Sequence, residues 1–242
     1  MKQSALFLVL VLLFSTCKKD KDATGNNSTV GESANMILSS TVFDQLDIQI
    51  QYMPGYRPDD ASVANLVNMV KAYCNKPAGV NYSLTQIGAS GKSSISLNDV
   101  KTLEKDNRTA FNNNKTFCIH ILITDAPYSE PNVLGIAYKN SSLCLFGKTI
   151  FDNSGGFGQT SRIKLESVVL NHELGHLLGL VDVGTPMQTS HIDADHGRHC
   201  NNSNCLMYYT SETTDVLGAI LTGNIPDLDV NCKNDLKANG GK

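Results

Sequence analysis

Between Arg162 and Leu178 the chain carries Leu165, Val168, Val169, His172 and His176 along one helical stripe. Apolar residues three and four apart make a helix whose inner face must be buried. This stripe also brings two imidazoles inward. Residues four apart share a helix face, so His172 and His176 can reach one metal ion, with Glu173 beside the first as a candidate base. A chain with this helix must supply a core to receive it and a turn after it. Gly179 stands where the helix should stop, and glycine allows the left-handed backbone of such a turn. A pair of histidines on a solvated helix face is the plain alternative; the flanking Val168, Val169, Leu177 and Leu178 speak against it.

The rest of the chain offers alternating elements. Thr41 to Met53, with Val42, Leu46, Ile48 and Ile50 in alternation, predicts a half-buried strand ended by Pro54-Gly55. Pro58-Asp59-Asp60 opens a helix with Val63, Leu66, Val67 and Val70 at helical spacing. Leu97 to Phe111 predicts another, starting near Ser96 or Asn98. Thr116 to Thr124 is densely apolar and β-branched, which suits a central strand. Leu134 to Phe146 reads as a strand or hairpin broken near Lys139-Asn140, and Gly155 to Gly158 as a flexible loop. Irregular chain dominates after Gly179. The expected class is α/β or α+β, a twisted mixed sheet with long helices and a loop-rich C-terminal part.

The N-terminus predicts export. Lys2 precedes an apolar run, Ala5 to Phe14, too short for a spanning helix of about 20 residues. Phe14-Ser15-Thr16-Cys17 resembles the lipobox of bacterial lipoproteins, which implies lipidation of Cys17, with Phe14 departing from the commoner leucine. The expected division is a signal segment at 1–16, a lipidated cysteine and tether at 17–35, and one domain at 36–242, split near Gly179 into 36–179 and 180–242. The expected location is the bacterial cell envelope, or outside the cell. Membrane contact is expected only through the lipid anchor, and the protein is expected to be a monomer. A formal charge of −3 disfavours nucleic acid as a partner. Six cysteines besides Cys17 allow up to three disulfides in an oxidising compartment, and Cys200 and Cys205 are near enough in sequence to bridge locally.

His172 to Asp182 extends to H-E-x-x-H-x-x-G-x-x-D. Here the chain resembles the metzincin zinc proteases, whose motif ends in His or Asp and is followed by a methionine turn beneath the metal. Cys205-Leu206-Met207-Tyr208-Tyr209 looks like that turn, with Met207 as its methionine. The C-x4-C-x-M pattern of Cys200, Cys205 and Met207 is similar to the archaemetzincin branch and related bacterial lipoproteins. The resemblance is specific from Val168 to Tyr209 and elsewhere covers only the order of elements. It implies a Zn2+ cofactor, a protein or peptide substrate, and peptide-bond hydrolysis with Glu173 as general base.

Two departures follow from the same resemblance. Archaemetzincins complete a second, cysteine-bound structural zinc site with a later C-x-x-C, whereas only Cys232 follows Met207 here, so a disulfide is expected instead. The third ligand to the first metal is also displaced. His199 directly precedes Cys200, as the family's third histidine does, while Asp182 stands at the usual distance from His176. His199 is the expected ligand and Asp182 the alternative, with His191 and His196 of the intervening segment behind them. By resemblance Tyr209 could assist the reaction, although Tyr208 and Tyr209 read more simply as packing residues. Leu134 to Tyr138 is a candidate edge strand for an extended substrate. Proteases that take a third ligand from a glutamate roughly 20 or more residues downstream fit less well, since no Glu occurs between Glu173 and Glu212. A non-catalytic surface-binding lipoprotein with a structural metal site is the alternative function.

Overall fold

The computed structural model describes residues 28–214 and 224–242. The expected signal segment and Cys17 lie outside the described residues. Strands β1 (Gln45–Tyr52), β2 (Gly79–Gln86), β3 (Thr116–Thr124), β4 (Gly135–Lys139) and β5 (Ser142–Phe146) form one sheet in the order β2-β1-β3-β5-β4. Neighbours pair in parallel except β4, which runs antiparallel to β5 at the edge. With its helices the chain is an α+β fold on a mixed sheet. The central position expected for Thr116 to Thr124 is observed, and every residue of β3 is buried.

Parallel strands need cover on both faces. On one face α2 (Asp60–Tyr73) and α5 (Arg162–Leu177) bury Val63, Leu66, Val168 and Val169 against Leu46, Ile48, Phe117 and Ile119. Each such side chain contributes roughly 1.5–3 kcal/mol. On the other, α3 (Leu97–Asn107) starts at a capping box in which Ser96 and Asp99 satisfy each other's backbone N–H. Here Val100, Leu122, Cys144 and Phe146 form a smaller core. Beside it lies a buried polar layer, where Glu104 accepts from Arg108 at 2.8 Å and Ser142 at 2.6 Å. This layer corrects the reading of β1. Its second face is buried too, because the Gln49 carboxamide accepts from Thr109 N and Ala110 N and Gln51 donates to the Asn107 carbonyl.

Other differences have equally local causes. Strand β2 was not expected, since a partly exposed edge lets Asn81, Tyr82 and Ser83 replace an apolar alternation. Residues 28–35, expected within the tether, are packed: Asn140 donates to Ser33 Oγ at 2.7 Å, and α1 (Ala34–Leu38) buries Ile37 and Leu38. Helix α4 (Gly147–Asp152) follows β5 directly. Beyond α5 the described residues contain only a 3₁₀ turn, Tyr209–Glu212, and helix α6 (Val230–Ala238).

Candidate metal centre

Helix α5 begins at Ser161, whose side chain accepts from Lys164 N, and is buried without interruption from Leu165 to Leu177. Burial on all sides means that His172, Glu173 and His176 face protein or the cleft rather than bulk water. After Leu178, Gly179 has φ +77. A Cβ there would stand 2.6 Å from Thr185 N and 2.8 Å from Ala34 Cβ, so the turn requires glycine for space as well as conformation. Leu180 N then donates to the Gly175 carbonyl at 3.1 Å, closing the helix end.

The three histidines meet. His172 Nδ1 is held 2.8 Å from the Leu206 carbonyl, which leaves its Nε2 directed inward. That Nε2 lies 3.1 Å from His176 Nε2. The His199 ring stacks on His172 with centroids 5.3 Å apart, its Nδ1 held 2.7 Å from the His196 carbonyl. His199 Nε2 is buried without a hydrogen-bond partner. Asp182, the alternative third ligand, is exposed, has φ +62 and stands outside this cluster. The left-handed residue after Val181 turns its side chain to solvent. His196 stacks on Tyr209 at 3.6 Å, which gives Tyr209 a packing contact.

A fourth group completes the cluster. Glu212 brings Oε2 to 3.6 Å from His172 Nε2 and 3.8 Å from His176 Nε2, and Oε1 to 3.5 Å from His199 Nε2. Sequence reasoning passed over this residue because it lies 36 positions beyond His176, in a turn without periodicity. Its one signal is that no other glutamate follows Glu173. Burial, and then the Glu212 charge, hold the Glu173 carboxyl well above the usual range. For Glu212 burial opposes ionisation, but the adjoining His172 and His199 imidazoles outweigh it and lower its pKa. Burial, and then His172, push His176 down toward the neutral form that a metal requires.

Donors of this kind suit zinc. Nitrogen and oxygen ligands about 2.0–2.1 Å from a tetrahedral ion are themselves roughly 3.3 Å apart, close to the separations seen here. A cleft of about 150 Å3 opens onto the site, lined by Glu173, His176, His199 and Glu212 and by Ile136 and Ala137 of β4. Gly135, at the start of β4, is pressed so close that a Cβ would reach 3.0 Å from Glu173 Oε1.

The expected bridge between Cys200 and Cys205 is absent: all six described cysteines are free thiols. Instead Cys205 Sγ lies 3.6 Å from Cys232 Sγ, and His191 Nδ1 lies 3.4 Å from Cys200 Sγ and 4.0 Å from Cys232 Sγ. Helix α6 delivers Cys232, and the segment between Gly179 and His199 delivers His191, so neither partner is local in sequence. Separations of roughly 3.8 Å are those of sulfur ligands on one tetrahedral ion at about 2.3 Å. His191 Nε2 pairs with Asp235 Oδ2 at 2.7 Å, a contact that fixes the orientation of the imidazole ring. Cys205 Sγ accepts from Met207 N and Asp229 N, bonds that stabilise a thiolate. Hydrogen bonding from Cys200 and then Cys232, aided by these two backbone bonds and opposed by burial, lowers the Cys205 thiol to about 4. Among the described residues two groups of side chains can therefore coordinate a metal ion: His172, His176, His199 and Glu212, and His191, Cys200, Asp229 and Cys232.

A family model, Reprolysin_5 of metallo-peptidase family M12, matches residues 48–217. The chain belongs to metallo-peptidase family M12. The M12 match runs from within β1 through the other four strands and the histidine helix to beyond Glu212. Among solved structures the chain is similar to archaemetzincin (amzA) from Methanopyrus kandleri, at 14% identity and TM-score 0.55, covering 81% of this chain and 96% of that one. This likeness is one of fold, a metzincin-clan fold. Metalloproteinase-II from Bacteroides fragilis aligns at 14% identity and TM-score 0.41, over 83% of this chain and 54% of that one. No curated protein matches the sequence.

Proposed function

We propose that this M12 chain is a zinc-dependent metalloendopeptidase in which His172, His176 and His199 hold the ion and Glu173 is the general base. The observation that carries this reading is the convergence of the three imidazoles, His176 and His199 of them lining a cleft, with both oxygens of the buried Glu173 carboxyl lacking a hydrogen-bond partner. An unsatisfied buried carboxyl is costly, and a site that served structure alone would have no use for it. That weighs against the non-catalytic reading. When bound, zinc supplies Lewis acidity, polarising the peptide carbonyl and bringing the pKa of a water toward neutrality.

The chain's own groups do the rest. Glu173 accepts a proton from the attacking water on a carboxylate oxygen and returns it to the leaving amine nitrogen. The low-polarity surroundings that raise its affinity for a proton suit both halves of that task. Strand β4, with its outer edge unpaired in the sheet order, offers backbone groups to an extended peptide, and Ile136 and Ala137 carry that edge to the cleft. Met207, with Gly175 above it, plays the part of the methionine turn, supporting the histidine helix from below. The cluster of His191, Cys200, Asp229 and Cys232, with Cys205 packed against Cys232, takes a second zinc with a structural role, tying α6 to the segment that presents His199. An export signal and a lipid on Cys17 would anchor the domain in the cell envelope, a reading supported by residues 2–17 alone.

The test is Glu173→Gln in the purified chain, which should keep zinc at the wild-type ratio and lose hydrolysis of a peptide library by about 10²–10⁴-fold. Turnover equal to wild type in a zinc-loaded Glu173→Gln sample would remove Glu173 from the mechanism.

A further inference from the structure

Glu212 faces the Nε2 atoms of all three histidines. Its carboxylate oxygens lie 3.5, 3.6 and 3.8 Å from the Nε2 atoms of His199, His172 and His176. The two helix histidines are themselves 3.1 Å apart at Nε2, and one ligand atom from each of the four groups lies within 4.8 Å of the other three, near enough for all four to reach one ion. Resting on the reading of those histidines as ligands, we propose that Glu212 is a fourth, displaceable protein ligand that closes the metal site in a resting state. A catalytic zinc needs one position free for water, and four protein ligands leave none.

The backbone shows that this placement is built in. Leu134 N donates to the Glu212 carbonyl at 2.9 Å, and Thr214 N to the Asn132 carbonyl at 3.0 Å. Val133 and Thr213 form an antiparallel bridge between them. The segment carrying Glu212 is thereby paired with the chain that runs directly into β4. A peptide that adds to this edge and extends past Gly135 competes for the same backbone groups. Its pairing would draw Glu212 off the metal and free the position that water takes. Opening of the site is thus coupled to occupation of the edge strand. With a side chain still 29% exposed, Glu212 has room to leave toward solvent. Glu173 has none, being fully buried.

Removing the carboxylate ligand should open the site to small chelating ligands. Acetohydroxamate binding to the zinc-loaded full chain, measured by calorimetry, is expected to tighten at least tenfold in Glu212→Gln. Zinc retention against a mild chelator should fall in the same variant. Glu212→Asp, which keeps the charge but shortens the reach, should show the same gain in hydroxamate affinity and serves if the Gln variant does not fold. Hydroxamate affinities within twofold of wild type in the folded variants would overturn the proposal, as would zinc retention unchanged in both. His176→Ala identifies the site being read: if wild type holds no more zinc than His176→Ala and binds no hydroxamate, the metal centre itself fails and this inference with it. Hydroxamate binding that His176→Ala abolishes but Glu212→Gln leaves unaltered would sink the fourth ligand alone.

Discussion

Met207 Sδ sits so close under Gly175 that a Cβ on the glycine would come within 2.3 Å of it. Gly175 lies between Glu173 and His176 on α5, so the sulfur supports the helix turn that carries the candidate site. Gly175→Ala would normally favour a helix by about 1 kcal/mol. Here it must displace Met207, and overpacking of a buried site costs roughly 1–3 kcal/mol. The variant should melt lower than wild type in thermal denaturation and bind zinc more weakly. Gly175→Ala combined with Met207→Ala should recover part of the loss.

His199 and Asp182 should separate as ligand and bystander. His199→Ala should lower zinc affinity by more than the ten- to hundredfold typical of a residue that only orients a ligand. Asp182 is exposed with φ +62, a conformation that glycine adopts without strain. Asp182→Gly should therefore retain metal and be no less stable. Zinc stoichiometry after dialysis against a chelator measures both, and loss of metal in Asp182→Gly with retention in His199→Ala would reverse the assignment.

The thiol cluster should behave as a metal site rather than a redox pair. Cys232→Ser and His191→Ala should each lose one metal equivalent that His176→Ala retains. Strong chelation should free thiols to a disulfide reagent and loosen α6, because its Cys232 and Asp235 are held through this cluster. Hydrogen exchange across residues 230–238 reports the loosening. A Cys200 to Cys205 disulfide found in the native protein by mass spectrometry would contradict it.

Acid stability should depend on His120, away from either metal cluster. Burial pushes its pKa down to about 3, although Glu104 4.0 Å away raises it; Arg108 and Lys139 act with burial. The unfolded chain therefore binds a proton near pH 6.5 that the native chain refuses until about pH 3. Stability is full above 6.5 and falls by up to about 1.4 kcal/mol per pH unit as pH drops between these values. His120→Gln retains a partner for Gln51 and should flatten urea-unfolding midpoints plotted against pH over that window. An unchanged slope would assign the acid sensitivity elsewhere.

The sequence by itself determined the elements that rest on local periodicity. Helix α5 with His172, Glu173 and His176, the buried strand β3, the hairpin β4–β5 and the turn at Gly179 all follow from spacing, because neighbours along the chain decide which face is buried. The candidate third histidine was also within reach, through its place before Cys200. Tertiary structure alone decided what those residues meet. Glu212 joins the histidines only because the 3₁₀ turn after Met207 is paired with Asn132–Leu134. His191 and Cys232 meet across 41 positions, converting an expected disulfide into a four-residue cluster. Chain segments far apart in sequence are brought together by sheet order and by packing around α5, and no local pattern in Thr210-Ser211-Glu212 or around Cys232 encodes that approach.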